Sequence, residues 1–393
     1  MKHALLLFSL VLCWATLSAQ RDRYKFAQTY LGLQTDVIGG ADSPELVSGR
    51  ILLGGTHFWQ QADFYLSFPL FNANLNEEAW DYSEGIITGF RYIPFGLSRK
   101  APGPFVGVQW LTPSFRINDG PNLEKSRWAA EAGFNWVFGS FYTLELSARH
   151  IFNQDVVYPI SRESTATTQL PEFGISFAVK KYIDTTAGNS SPEARKYRKK
   201  RYDQFEEEGR LSTWSFGIGL SANISTSDLD FLHDYSFLPN RPPLNVYPDI
   251  VAGYYFHKQD AAVRASWRPM KQSDQAYGLD YSLRHHRFSL EAFKFLFDYK
   301  GFAPFLGLNL GYDYLNMDLR DAEANDISEK YGTPSYGISF GWDIRTSDTD
   351  PYILRTNLRY VIQSEAESGK INLSGSHLEI NFIQIVLYPS RWK

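Results

Sequence analysis

The segment RWAAEAGFNWVF, residues 127–138, decides the fold. Trp128, Ala130, Ala132, Phe134 and Trp136 fall on one face of an extended chain, and Ala129, Glu131, Gly133 and Asn135 on the other. A period of two marks a strand with unlike faces. After Gly139 and Ser140 the alternation resumes, with Tyr142, Leu144, Leu146 and Ala148 opposing Thr143, Glu145, Ser147 and Arg149. Two such runs across a tight connection predict an antiparallel hairpin.

Outward from this hairpin the pattern recurs. Trp214, Phe216, Ile218 and Leu220 alternate with Ser215, Gly217, Gly219 and Ser221, and similar runs begin at Leu306 and Tyr336. The polar face separates a membrane barrel from a secreted β-sandwich, whose wet face would be rich in lysine and threonine. Here that face is glycine, serine and asparagine with sparse charges of both signs. These are Asp63, Arg91, Glu131, Glu145 and Arg149, then Arg264, Arg268, Glu291, Asp313, Asp343, Arg355 and Arg359. Charges that must find partners suit a curved interior, where they either brace the fold or line a channel. Aromatic residues make up 16% of the chain, yet mean hydropathy is only −0.31. Strands with lipid on one face and a polar lumen on the other reconcile the two.

About sixteen strands are expected, near 25–37, 47–57, 62–71, 83–95, 103–115, 127–138, 140–152, 170–183, 211–224, 247–257, 261–269, 286–298, 302–315, 335–345, 351–363 and 376–388. Short connections such as 139–140, 258–260 and 299–301 would face the periplasm. Long ones, 153–169, 225–246, 316–334 and 364–375, would face outward. Tryptophans 59, 80, 110, 136, 214, 267 and 342 lie near strand ends or on lipid faces, where they would form interfacial girdles.

Residues 1–19 read as a secretory signal peptide, with Lys2, an apolar run from Ala4 to Ala15 and a cut after Ala19. No later window is apolar for the roughly twenty residues a spanning helix needs. The one cysteine, Cys13, falls within the signal behind Leu12, which is too large for a lipoprotein box. Cysteine chemistry is thereby excluded from the mature chain. Lysine plus arginine is 39 against 43 acidic residues, so no global field attracts nucleic acid.

The chain repeats itself at an offset of about 200 residues. GGTHFWQQADFY from Gly54 parallels AGYYFHKQDAAV from Ala252, and PFVGVQW from Pro104 parallels PFLGLNL from Pro304. Trp136 corresponds to Trp342 and Arg149 to Arg359. Two eight-stranded repeats, 20–183 and 211–393, are expected around a charged periplasmic linker, 184–210. Within the linker, Ser191 before Pro192 and Glu193 reads as a helix start and Gly209 as a stop. The basic run Arg195–Arg201 followed by the acidic run Asp203–Glu208 reads as a solvated, self-paired linker. The expected fold is an all-β transmembrane antiparallel barrel. A single barrel of about sixteen strands is favoured, since one chain usually forms one barrel, with two tandem eight-stranded barrels as the alternative.

The runs GGTHFWQQADFYLSFPLF and FKFLFDYKGFAPFLGLNLGY, the pair FGWDIR and LRTNLRY, and the ending LEINFIQIVLYP resemble a family of uncharacterised outer-membrane β-barrel proteins of Gram-negative bacteria. The resemblance spans most of the mature chain. It implies fold and an outer-membrane location, and carries no activity. EFGISFAV at 172–179 also resembles the barrel-assembly signal, from which the last strand departs at Glu379.

Candidate chemistry is thin. RHHRFS offers His285, His286 and Ser289 for a lipid hydrolase, with no orienting acid assignable from spacing. His57 and His257, near matching positions, read as interfacial packing residues rather than metal ligands. Asp228, Asp230 and Asp234 lack the spacing of a calcium loop. No enzyme activity, cofactor or metal is expected, and outer-membrane lipid is the expected partner. A porin-like passive channel is the leading expectation, and a structural or partner-binding protein with filled barrels the alternative.

Overall fold

The computed structural model describes residues 27–392 apart from 41–42, 76–79, 99–100, 119, 140, 154, 185–191, 226–236, 238–244, 300, 322–325, 346, 364–365, 369–370 and 374–375. The signal peptide with Cys13, the helix start at Ser191, and Asp228, Asp230 and Asp234 lie outside the described residues. Two compact units result.

The first unit is a ring of eight antiparallel strands. They are β1 (Gln28–Gly40), β2 (Ser43–His57), β3 (Ala62–Asn74), β4 (Trp80–Tyr92), β5 (Gly103–Ile117), β6 (Arg127–Phe138), β7 (Tyr142–Ile151) and β8 (Phe173–Asp184). Each pairs with its sequence neighbour, and β1 closes on β8 from Gln28 opposite Asp184 to Gly39 opposite Phe173. With β2 on its other side, β1 has no edge left for any later strand.

The second unit is a second closed ring. Its strands are β9 (Thr213–Ser225), β10 (Asn245–Phe256), β11 (Ala261–Ala276), β12 (Leu279–Phe295), β13 (Phe302–Asp321), β14 (Ile327–Ile344), β15 (Tyr352–Gln363) and β16 (His377–Leu387). It closes where β9 meets β16. The favoured single barrel is therefore corrected to two. The reason is that side chains filling an eight-strand lumen satisfy each ring on its own, and a satisfied ring offers no unpaired backbone.

Cross-strand pairs show how each lumen is filled. Tyr30 lies opposite Gly54, Tyr65 opposite Gly89, Phe105 opposite Gly133, Phe293 opposite Gly307 and Phe305 opposite Gly341. In four of these pairs the ring occupies the space a side chain at the glycine would need, and at Gly307 the Phe293 Cβ does. A Cβ at Gly133 would stand 2.7 Å from Phe105, and one at Gly341 2.6 Å from Phe305.

A second correction concerns 316–334, expected as a loop, and 270–285, left outside any strand. Residues 316–321 and 327–334 of the first, and 270–276 and 279–285 of the second, are strand, because β11 to β14 run 16 to 20 residues. A membrane needs only about 9–11. Strand parity never changes along β12 and β13, but polarity inverts. Leu279, Tyr281, Leu283, Leu315, Met317 and Leu319 point inward, with Asp280, Arg284 and Arg320 exposed outside. Beyond His285 and Asp313 come inward Arg287, Ser289, Glu291 and Asn309, while Phe288, Leu290, Leu308 and Leu310 face out. Apolar groups face inward where the outside is water and outward where it is lipid. The segment 153–169, expected as an outward loop, likewise holds a small hairpin, Asp155–Pro159 with Thr165–Gln169.

The linker helix α1 (Pro192–Glu207) belongs to the second unit. Gly209, at φ +69°, ends it, and the Arg210 amide closes back on the Phe205 carbonyl at 2.8 Å.

Candidate functional site: the two barrel interiors

All twelve charges singled out from sequence are interior, none more than 4% exposed. Alternation predicts their direction because β-strand parity is strict. Their company is set by register.

In the first barrel Arg91 of β4 meets Glu131 of β6 at 2.7 and 2.8 Å, Glu145 of β7 at 2.9 Å and Asp63 of β3 at 3.6 Å. Lys180 of β8 reaches Glu145 at 2.6 Å and Asp63 at 3.4 Å. Tyr30 donates to Asp63 at 2.9 Å and Tyr65 to Glu131 at 3.1 Å. The Arg91 guanidinium also lies over the Tyr65 ring, 4.0 Å from its centroid. A second cluster joins Arg149 to Glu84 at 2.6 Å and to Asp36 at 3.8 Å. Arg50 stands 3.9 Å from Asp36 and 3.8 Å from Glu84, and donates to the Ser67 hydroxyl at 2.6 Å. Gln109 links the clusters, donating to the Tyr65 hydroxyl at 2.7 Å and accepting from Arg149 at 3.4 Å.

In the second barrel Glu291 of β12 is the centre. It binds Arg264 at 2.6 Å, Arg359 at 2.9 Å, and Arg268. Asp249 binds Arg359 at 3.1 Å and Arg268 at 3.3 Å, and Asn381 donates to it at 2.9 Å. Glu379 takes Arg268 and Arg287, each at 3.1 Å. Asp313 accepts from His285 at 2.5 Å, and Asp343 holds Arg355 at 2.5 and 2.8 Å nearer the opposite end.

Asp36, Arg50, Glu84 and Lys180 in the first barrel, and Asp249, Arg287 and Glu379 in the second, were missed from sequence. Inward Leu52 hides the alternation around Arg50, a bulge between Glu84 and Ile87 breaks it on β4, and paired Lys180 and Lys181 mask which one points in. Glu379 carried a signal, since it replaces the glycine of the assembly pattern.

Apolar layers bound the second network along the barrel axis. On one side Tyr255, Phe293, Phe295, Phe305, Val386 and Tyr388 pack together. On the other, Tyr281, Leu283, Leu315, Met317 and Tyr331 do the same.

The hydrolase candidates separate. His285 points inward to Asp313, but His286 points outward and stacks on Trp267 with ring planes 8° apart. Ser289 is inward and bonded to Ser266 at 2.6 Å, four residues from His285, or about 13 Å along a strand. His57 is buried edge-on to Phe64, and His257 accepts or donates at 2.9 Å to the Tyr202 hydroxyl of α1. Among the tryptophans Trp59, Trp136, Trp214 and Trp267 are exposed, whereas Trp110 is buried and stacked 5.6 Å from Trp128. Within the linker, Glu208 pairs with Arg210 at 2.8 Å rather than with the basic run. Arg210 and Gln204 hold its carboxyl below the ordinary carboxylate range.

No protein-family model matches the chain, and no curated protein matches it. Among solved structures it is similar to Neisserial surface protein A, at 13% identity, 45% of this chain, 97% of that one and a TM-score of 0.32. It is similar also to the attachment invasion locus protein Ail of Yersinia pestis, at 11%, 45%, 96% and 0.30. The beta domain of the Bordetella autotransporter Brka gives 8%, 93%, 100% and 0.25.

Proposed function

We propose that this chain is an integral outer-membrane protein whose two barrels are closed, non-enzymatic scaffolds that present their outward and periplasmic segments to partners. The observation that carries this reading is the filled lumen. Arg50, Arg91, Arg268, Arg287 and Arg359 are among the largest fully buried side chains, and each meets a carboxylate. Stripping such a network of its partners to let water and solute through costs several kcal/mol per ion. The apolar belt of Leu306, Leu308, Leu310, Tyr336, Ile338 and Phe340 around a charged interior supports the membrane location.

The porin-like channel is the competing reading and makes the opposite prediction. Purified protein in planar bilayers is expected to give no steps of conductance. Reproducible unitary steps that vanish with the unfolded protein would overturn the closed-scaffold reading.

A further inference from the structure

Helix α1 is docked on the second barrel by one side only. Phe205 is buried, Arg201 donates to the Arg391 carbonyl at 2.8 Å, and Tyr202 meets His257. The opposite side of the helix is exposed, and its charge is divided along the axis. Lys196, Lys199 and Lys200 occupy the N-terminal half, and Asp203, Glu206 and Glu207 the C-terminal half. The last-turn acids Glu206 and Glu207 oppose the helix dipole, whose negative end is at the C-terminus.

A second copy of the helix, laid antiparallel, sets the basic half of each copy against the acidic half of the other. Under a two-fold axis Lys196 faces Glu207 and Lys200 faces Asp203 of the other copy, while Lys199 faces Gln204. The acids of each copy then flank the positive end of the other. The same surface is self-complementary, as an isologous interface requires. We propose that this exposed strip of α1 is a homodimerisation surface, with a second copy of the chain as its occupant. The proposal goes beyond the scaffold reading and does not depend on whether the barrels conduct.

The test is a charge exchange on the full chain in detergent micelles, followed by analytical ultracentrifugation. Lys196→Glu/Lys199→Glu/Lys200→Glu and Asp203→Lys/Glu206→Lys/Glu207→Lys should each self-associate about tenfold or more weakly than wild type. Mixed together, the two should form a heterodimer. Folding of each is checked by heat-dependent gel mobility. Should either variant misfold, the wild type still decides, since its dimer should weaken as salt rises from about 0.05 to 0.5 M. A wild type that stays monomeric, or exchanged variants that dimerise undiminished and do not prefer each other, would overturn the proposal. So would loss of association only in the lysine variant together with retained anionic lipid, which would assign the basic half to headgroups instead.

Discussion

The first barrel divides its interior charge between two clusters that communicate through the neutral Gln109. The second concentrates its charge, with Glu291 shared by Arg264, Arg268 and Arg359. The second barrel also carries longer strands, whose extension has the reverse polarity of the membrane span. The two barrels thus share the closure and the ring-over-glycine pairs but distribute charge differently. What the barrels share is the geometry of filling a narrow lumen, and what differs is which residues meet at each carboxylate.

The comparison is broken most directly at the shared carboxylate. Glu291→Met leaves three buried guanidiniums facing one another and should lower stability by about 5 kcal/mol, whereas Arg149→Met, with Arg50 still beside the stranded acids, should cost about 3 kcal/mol. Urea titration followed by tryptophan fluorescence reads both. Equal losses would remove the distinction between a centred and a divided network.

The polarity inversion is sharpened next. Leu308→Arg places a charge on the lipid face and should cost about 2–4 kcal/mol. Asp318→Leu, on the same strand but in the extension, should stay within about 0.5 kcal/mol. A large cost at Asp318 or none at Leu308 would move the membrane boundary. The smallest expected effect tests what the repeats share. Gly133→Val and Gly341→Val should each cost about 1–3 kcal/mol by crowding the Leu146 and Thr356 carbonyls as well as Phe105 and Phe305, and wild-type stability in either would mean that the glycine is not enclosed there.

Much of this was legible in the alternation. It assigned the β class and the direction of all twelve charges, because side-chain parity in a strand is local. The extension was not legible as strand, since its pattern was sought with the membrane's polarity. Leu279, Tyr281 and Leu283 follow the period correctly but with apolar groups inward. Strand parity separates His286 from His285 and Ser289, but the three were grouped as one candidate because they lie within five residues of the chain.

The sequence by itself determined that the chain makes barrel strands in two sets of eight, with lipid on one face and paired charge on the other. Only the tertiary structure decided that there are two rings. Alternation is identical in an eight- and a sixteen-strand barrel, because it reports each strand's own faces and nothing of which strand lies beside it. Closure is a property of the pairing between β1 and β8 and between β9 and β16, residues far apart in the chain. That pairing is set by how rings, guanidiniums and carboxylates fill each lumen.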